Sequence, residues 1–348
     1  MIEYEKYFYN ALALNSAEKQ AQERLLPKIP EDVIDVHVHM ADEKSVNMDQ
    51  IPAAALNHMM TTFPVNTNEQ SAAIDETLMT GKSVNKLRFA NAFKGVLHKS
   101  VNTYLINTKN DNAKTALFGV SESSEDIDYT ISELESGNYA GLKMYYMATD
   151  PPKKNLYEYF PRDVLSAAER LGVPIILHLP KTIYGSMDEL GNLQANFPNL
   201  KVMLAHIGVV HTVRNGLDQI LKNVSQMENV FVDTSGIHEA EVVARALKYL
   251  GKNKLLYGSD EPLNLIRAIV YENPDLGPRL LTDYPYHWVD KDEQAKYRSL
   301  GDGKFMHSHW QQLSAIDHAV ELQGYTETEK KNVLTAIFET NAKRLFGF

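Results

Sequence analysis

The stretch Asp35-Val36-His37-Val38-His39 decides the fold and points to the functional site. Residues 33–38 read as a short buried strand, and residues two positions apart in a strand point to the same face. His37 and His39 therefore project together from the end of that strand. Two imidazoles on one face are a natural beginning of a metal site. A His-x-His pair alone fits ordinary hydrogen-bonded histidines equally well, so the question is whether other strands supply further ligands.

Downstream of this strand, short apolar runs alternate with amphipathic helical stretches. Seven more strands are predicted, at 86–93, 115–120, 139–145, 173–178, 200–206, 229–233 and 254–259. The predicted helices between them cover 96–108, 126–136, 156–171, 187–195, 213–227 and 239–250. Such alternation indicates a parallel sheet, and eight units over about 230 residues favour closure into an α/β (β/α)₈ TIM barrel.

Two long stretches interrupt the alternation. Residues 41–85 follow the first strand and residues 261–312 follow the eighth, and segments of this length are usually lids or functional insertions. A helix is predicted over 3–25, within an N-terminal helical segment at 1–30, and terminal helices over 313–345. Neither a repeat nor a low-complexity linker is visible, so the whole 348-residue chain is expected to form one barrel domain.

The composition excludes several partners and ligands. The net charge is −10 without a block of basic residues, which argues against nucleic acid because phosphate binding relies on clustered Lys and Arg. The sequence contains no cysteine, so disulfides, thiolate ligands and a cysteine nucleophile are excluded. Any metal must therefore be held by His, Asp, Glu or a modified Lys.

The location and the partners are predicted mainly from missing signals. Residues 1–6 lack the pattern of a signal peptide, and no apolar run approaches the roughly 20 residues of a membrane span. We expect a cytoplasmic protein with a small-molecule substrate and no membrane partner. The aromatic and histidine-rich part of 261–312 fits either closure of a pocket or a homodimer contact, and its spacing does not decide between them.

Polar side chains stand at the ends of three further predicted strands. The fifth strand ends in His178, the sixth ends in His206, and Asp260 directly follows the eighth. The C-terminal strand ends of a barrel converge on one rim, where active sites lie. An apolar barrel centre does not tolerate unpaired polar groups, so four imidazoles and one carboxylate on this rim indicate a metal site. Nitrogen and oxygen ligands of this kind suit Zn²⁺, Mn²⁺ or Fe²⁺.

The motifs around these residues resemble those of the amidohydrolase superfamily. They are Asp35-Val36-His37-Val38-His39, Gly141-Leu142-Lys143, Ile176-Leu177-His178, Ala205-His206-Ile207-Gly208, Gly258-Ser259-Asp260-Glu261-Pro262 and the closing Asn341-Ala342-Lys343-Arg344-Leu345-Phe346. The likeness runs from residue 33 to residue 346. It is to the amidohydrolase-related branch that includes aminocarboxymuconate-semialdehyde decarboxylase. Together the motifs are specific for the superfamily, but they are not specific for a reaction.

The resemblance implies roles for individual residues. His37, His39, His178 and Asp260 match the ligands of one divalent ion, expected to be Zn²⁺, with Mn²⁺ or Fe²⁺ as alternatives. His206 matches a histidine that lies beside the metal-bound water or substrate. Asp260 and His206 are therefore the predicted catalytic residues. In two-metal members a carboxylated lysine bridges the ions at the strand position that Lys143 occupies here, but one ion is the favoured prediction.

Four residues are weaker candidates for substrate binding. An unmodified Lys143 would suit a substrate carboxylate, and Tyr145 shares its face of the strand. His211 and His238 follow the sixth and seventh strands by a few residues, in the loops that build such sites. A salt-bridged lysine, a buried tyrosine and surface histidines are the ordinary alternatives. Asp233, at the end of the seventh strand, is a predicted partner for a ligand histidine.

Two reactions fit this set of residues. The main hypothesis is a metal-dependent hydrolase of a small-molecule amide, ester or lactone, in which Asp260 takes the proton of a metal-activated water and His206 stabilises developing charge. The alternative is a metal-dependent nonoxidative decarboxylase of a small aromatic or unsaturated carboxylic acid. An aromatic, carboxylate-binding pocket favours decarboxylation, whereas an open cleft facing the metal-bound water favours hydrolysis. A metal-binding barrel without catalysis would be indicated by a lost ligand, and none is lost.

Overall fold

Eight parallel strands form a ring whose last strand returns to the first. The computed structural model describes residues 4–51, 58–109, 112–149, 151–273 and 277–348. The strands pair in chain order and are β1 (Asp32–Met40), β2 (Ser83–Ala90), β3 (Ala113–Gly119), β4 (Gly141–Met144), β5 (Ile175–Leu177), β6 (Val202–Leu204), β7 (Val230–Asp233) and β8 (Leu255–Leu256). The Val36 N–H donates to the Tyr257 carbonyl at 3.0 Å, which joins β1 to the segment after β8. The predicted TIM barrel is confirmed.

Helices cover the outside of the ring and follow the strands. The described α-helices outside the site are Tyr4–Leu12, Ser16–Leu25, Asn68–Leu78, His98–Asn107, Ser124–Glu135, Leu156–Tyr159, Arg162–Leu171, Thr182–Asn196, Leu217–Ser225, Ala240–Leu250, Lys291–Tyr297, Ser308–Leu322, Glu327–Thr335 and Asn341–Phe346, with a π-helical turn at Ala336–Thr340. In Ala240–Leu250 the buried face repeats at helical spacing, for example at Val243 and Leu247. None of the described helices combines the length and apolar character that crossing a bilayer requires.

The N-terminal segment departs from the single helix predicted over 3–25. It forms two helices, Tyr4–Leu12 and Ser16–Leu25. The break lies where Asn15 accepts a hydrogen bond from the Glu18 N–H at 3.0 Å, while the Glu18 carboxylate accepts one from the Asn15 N–H at 2.8 Å. This capping box satisfies N–H groups in the first turn of a helix. A second helix therefore begins at Ser16, and the first helix does not continue through this point.

The inside of the barrel is apolar below the strand ends. The buried cluster that fills it consists of Ile34, Val36, Leu87, Phe89, Ala116, Ile176, Met203 and Leu256, and it is joined by Ala342, Leu345 and Phe346 from the C-terminal helix. This apolar filling fits a site at the C-terminal end of the barrel.

The two insertions meet above that end. The first contains the helix Asn68–Leu78, and the second contains an antiparallel sheet of β9 (Arg267–Asn273), β10 (Gly277–Thr282) and β11 (Met306–His307). Trp288 Nε1 donates to Thr62 Oγ1 at 2.7 Å, which ties one insertion to the other. We call residues 58–65 and 263–289, as far as they are described, the roof.

Candidate metal site and active-site cavity

A cavity of about 520 Å³ lies between the strand ends and the roof. All nine site residues predicted from the sequence line it: His37, His39, Lys143, Tyr145, His178, His206, His211, His238 and Asp260. The roof adds His58, Met59, Met60, Leu263, Ile266, Ala268 and Leu280. The fold therefore brings the predicted residues to one place, and their individual roles stay predictions.

Three side chains at the bottom of the cavity form a tight triangle. His37 Nε2 lies 3.3 Å from His39 Nε2 and 3.5 Å from Asp260 Oδ1, and His39 Nε2 lies 3.4 Å from the same oxygen. Ligands about 2.1 Å from a tetrahedral zinc ion are about 3.4 Å apart. The spacing of these three atoms is therefore that of ligands around one ion. We call these three residues, with His178, His206 and Lys143, the floor.

The hydrogen bonds behind the floor fix which ring nitrogens carry protons. Each of three histidines has an acceptor beside its Nδ1: Asp233 Oδ2 for His37 at 2.9 Å, the Ala90 carbonyl for His39 at 3.3 Å and the Ser235 carbonyl for His206 at 2.9 Å. Because these acceptors have no proton to give, each Nδ1 is the donor, and Nε2 is the ring nitrogen that is left for a ligand. Acceptors behind the ring orient metal-binding histidines, and Asp233 does contact His37, one of the predicted ligands.

The two candidates for a fourth ligand occupy different positions. His37, His206 and Asp260 each offer a donor atom within 4.8 Å of the other two. The His178 ring lies 5.1 Å from the His206 ring and 4.9 Å from the Tyr145 ring, and its Nδ1 has no hydrogen-bond partner among the described residues. His206 is thus part of the compact donor group, while His178 lies at its margin. The assignment of His178 as the ligand and His206 as the catalytic residue stays a prediction.

The protonation states also suit a cation. Burial alone would raise the pKa of Asp260, but the hydrogen bond with His39 and the charges of His206 and His37 hold it well below its usual range. Burial lowers the pKa of His37 to about 4, against the opposing effect of Asp233. An ionised carboxylate and neutral imidazoles are the forms that bind metal ions. The donor set, which lacks thiolates, fits Zn²⁺, Mn²⁺ or Fe²⁺.

Lys143 is buried on the floor, with only 1% of its surface exposed. Its Nζ lies 5.2 Å from the centre of the Phe89 ring and 6.0 Å from that of Tyr145. It makes no hydrogen bond or ion pair with any residue that the structure describes. Burial lowers its pKa to about 8, although Asp233 and Asp260 oppose this effect. An amine that faces the cavity without a fixed partner is available to a ligand.

The backbone is strained where two floor residues leave their strands. His206, Ile207 and Val209 have φ angles of 56°, 51° and 64°, and Asp260 has 61°. Such left-handed conformations cost about 1–3 kcal/mol each and are concentrated at functional sites. Gly208, within this turn, has a φ of 72°, and a Cβ there would lie 2.8 Å from the Ile183 side chain. The Ala205-His206-Ile207-Gly208 motif therefore encodes a turn that aims His206 into the cavity.

Two arginines that line the cavity were not predicted from the sequence. Arg279 of β10 pairs with Glu293 at 2.9 Å. Arg214 makes no ion pair within the described parts of the chain. Arg214 follows His211 by three residues. It therefore lies in the same loop after the sixth strand, and its position was as good a sign of a cavity residue as that of His211. Nothing in the sequence pattern places β10 near the barrel rim, so Arg279 had no comparable signal.

Comparison with known proteins places this architecture in a family. The family model described as amidohydrolase matches residues 34–348. The chain belongs to the amidohydrolase family. This confirms the resemblance seen in the motifs, and members of this family are typically metal-dependent enzymes.

Solved structures of low sequence identity share the fold of this amidohydrolase. The 5-carboxyvanillate decarboxylase of Sphingomonas paucimobilis is 14% identical, with 92% of this chain and 100% of that chain covered and a TM-score of 0.54. The 2,6-dihydroxybenzoate decarboxylase of Rhizobium is 15% identical, with 91% and 99% covered and a TM-score of 0.52. A Pseudomonas putida protein described as a 2-pyrone-4,6-dicarboxylic acid hydrolase is 14% identical, with 92% and 98% covered and a TM-score of 0.54. No curated protein sequence matches the chain.

Proposed function

We propose that this amidohydrolase is a metal-dependent, nonoxidative decarboxylase of a small aromatic or unsaturated carboxylic acid. The observation that carries the proposal is Lys143, a buried amine without a fixed partner beside the candidate metal site. A cation in that position is suited to hold the carboxylate that is to be lost. This reverses the order of the two hypotheses drawn from the sequence, in which hydrolysis came first.

The charges around the cavity support an acidic substrate. The chain carries a net charge of −10, yet the described residues that line the cavity include Lys143, Arg214 and Arg279 and only one carboxylate, that of Asp260. A cavity lined by one sign of charge concentrates ligands of the opposite sign. Because Arg279 already pairs with Glu293, Arg214 is the cation best placed to attract an acid from solvent.

The walls of the cavity support a flat apolar skeleton. Tyr145 and His178 pack edge to face, with ring centres 4.9 Å apart, and the roof contributes Met60, Ile266 and Leu280. Apolar walls with a few charged groups are typical of small-molecule sites. The two decarboxylases compared above are named for aromatic acids, 5-carboxyvanillate and 2,6-dihydroxybenzoate, which agrees with this pocket.

One divalent ion is proposed, with Zn²⁺ as the first choice and Mn²⁺ or Fe²⁺ as alternatives. His37, His39 and Asp260 would hold it, together with His178 or His206. Such an ion supplies positive charge that polarises substrate oxygens. The described residues contain one compact group of donor atoms, which supports one ion rather than two bridged by a carboxylated Lys143.

The side chains divide the remaining work. Lys143 binds the substrate carboxylate, while Asp260, which is ionised at rest, and His206 take up a proton from solvent and pass it to the reacting carbon. The proton forms the new C–H bond, the bond from that carbon to the carboxylate breaks, and its electron pair stays with the carbon as carbon dioxide leaves. Closure by the roof keeps water away from the charged groups, which strengthens their interactions.

Hydrolysis of a lactone, ester or amide is the second candidate. The Asp260 carboxylate, 3.4 Å from His39 Nε2 and adjacent to His206, is also placed to accept a proton from water. The Pseudomonas putida protein described as a hydrolase shares the fold, so the fold serves both reactions.

A substrate screen separates the two reactions. Protein loaded with Zn²⁺ or Mn²⁺ would be incubated with aromatic and unsaturated carboxylic acids, and with lactones, esters and amides of similar size. We expect release of carbon dioxide from an acid, lost on chelation and in Asp260→Ala. Hydrolysis of a lactone, ester or amide without release of carbon dioxide from any acid would overturn the proposal in favour of the second candidate.

A further inference from the structure

A buried ion pair lies directly behind the floor. Lys86 of β2 donates to Glu261 Oε2 at 2.7 Å and to Ser71 Oγ at 2.7 Å, and it also pairs with Asp75 at 2.9 Å. Glu261 is only 1% exposed. It follows Asp260 in the chain but does not line the cavity. The proposed reaction therefore gives the Lys86–Glu261 ion pair no role.

Asn66 connects the ion pair to the first strand. Its Nδ2 donates to Glu261 Oε1 at 3.0 Å and to the His39 carbonyl at 2.8 Å. Its backbone pairs with Ala41, with N–H to carbonyl distances of 3.0 and 3.1 Å in the two directions. The end of β1 is therefore held from the side of the first insertion.

The backbone of Glu261 completes the connection. The His39 N–H donates to the Glu261 carbonyl at 2.7 Å, and Val38 forms a parallel bridge with Glu261. The Glu261 N–H donates to Ser259 Oγ at 3.0 Å, so the backbone is fixed on both sides of Asp260. One residue thus links the backbone of His39 to that of Asp260.

We propose that Lys86, Glu261 and Asn66 form a positioning clamp that holds His39 and Asp260 at metal-binding distance. The clamp residues touch no reacting atom and act through these two floor residues. A buried ion pair is a poor source of stability, because removing both charges from water offsets most of their attraction. A role in positioning accounts better for this ion pair. It fixes two floor residues, His39 and Asp260, that come from opposite ends of the barrel sequence.

The chain offers a matched control for this proposal. Glu18 is fully buried and pairs with Arg267 at 2.7 Å and with His307 at 3.1 Å, so Glu18→Gln also removes one charge from a buried ion pair. That pair joins the N-terminal helices to β9 and β11 and does not line the cavity. The two Glu→Gln variants therefore separate loss of a buried charge from loss of the clamp.

Binding of Zn²⁺ to metal-free protein, measured by competition with a chromophoric chelator, tests the clamp. We expect Glu261→Gln to raise the Kd for Zn²⁺ by about 10- to 100-fold, as is usual for residues that orient metal ligands. Glu18→Gln should change that Kd less than about twofold, although both variants lower the thermal midpoint. An unchanged Kd in Glu261→Gln, or an equal rise in Glu18→Gln, would overturn the proposal.

Asn66→Ala provides a second test that leaves the ion pair in place, in case Glu261→Gln does not fold. It removes the side-chain hydrogen bonds of Asn66 to Glu261 and to the His39 carbonyl, and a severalfold rise in the Kd is expected. An unchanged Kd in a folded Asn66→Ala protein would contradict the clamp. The clamp rests on the metal site of the proposed function but not on its reaction. Failure of the unaltered protein to bind Zn²⁺ would overturn the metal site itself, whereas a normal Kd in the variants overturns only the clamp.

Discussion

The floor and the roof of the cavity are built in different ways. The floor comes from strand ends, and three of its histidines are buried and held by hydrogen bonds from behind, as His37 is held by Asp233. The roof comes from two insertions, joined to each other by side-chain contacts such as that of Trp288 with Thr62. From this difference we expect the barrel to supply the groups that activate the bond and the insertions to select the substrate.

The largest effect is expected on the floor, from Asp260→Ala. This variant removes both a candidate metal ligand and a proton carrier, so turnover should fall by at least about 10²- to 10⁴-fold. Steady-state kinetics on the substrate found in the screen would measure it. Asp260→Asn, which keeps the shape but not the charge, should be nearly as poor. Near-normal turnover in either variant would contradict the role of the floor.

Lys143→Met probes the floor without removing a metal ligand. Loss of a charged hydrogen bond to the substrate costs about 1.5–3 kcal/mol, so kcat/KM should fall by about 10- to 100-fold. The pKa of Lys143 is lowered to about 8 by burial. The cation that binds the acid is lost as the pH rises through this value, so kcat/KM of the unaltered enzyme should decline above about pH 8. A pH profile in which Lys143→Met keeps the same decline would exclude Lys143 as its source.

Arg214→Gln probes the mouth of the cavity, between floor and roof. Arg214 is expected to attract and bind the acid without touching the reacting carbon, so KM should rise severalfold while kcat stays nearly constant. The rise should shrink at high salt, because exposed charges are screened. Initial rates at two ionic strengths measure both effects. A drop in kcat alone would place Arg214 among the catalytic groups instead.

The smallest effect is expected in the roof, from Thr62→Val. This change removes the acceptor of the Trp288 Nε1 hydrogen bond and should cost about 1 kcal/mol of stability. Hydrogen exchange should increase in the two insertions, with kcat/KM reduced only a few fold. Thr62→Ser keeps the hydroxyl and serves as the control. A loss of activity as large as that of Lys143→Met would contradict the expectation that the floor, and not the roof, activates the bond.

The sequence predicted the floor better than the roof for a physical reason. Strand ends of a barrel converge whatever lies between them, so His37, His178 and Asp260 could be placed together from periodicity alone. The capping box at Asn15 was also present in the sequence, yet a continuous helix over 3–25 was predicted because neither Gly nor Pro interrupts it.

The roof depends on contacts between distant insertions. The pairing of Trp288 with Thr62, and the arrival of Arg279 at the cavity on β10, are tertiary contacts without a local pattern. The Lys86–Glu261 pair was hidden for a similar reason, because β2 and the segment after β8 meet only when the barrel closes. Decarboxylation now comes before hydrolysis because, among the described residues, Lys143 has no fixed partner, and because Arg214 and Arg279 also line the cavity.

Metal analysis of the purified protein tests the central claim most directly, that the floor holds one catalytic ion. Elemental analysis combined with intact-mass measurement should give about one divalent ion per chain, an unmodified Lys143, and almost no metal in a folded His37→Ala variant. Two ions per chain with extra mass on Lys143 would contradict the single-ion floor. Protein that binds no divalent ion after incubation with Zn²⁺, Mn²⁺ or Fe²⁺ would contradict the metal site altogether.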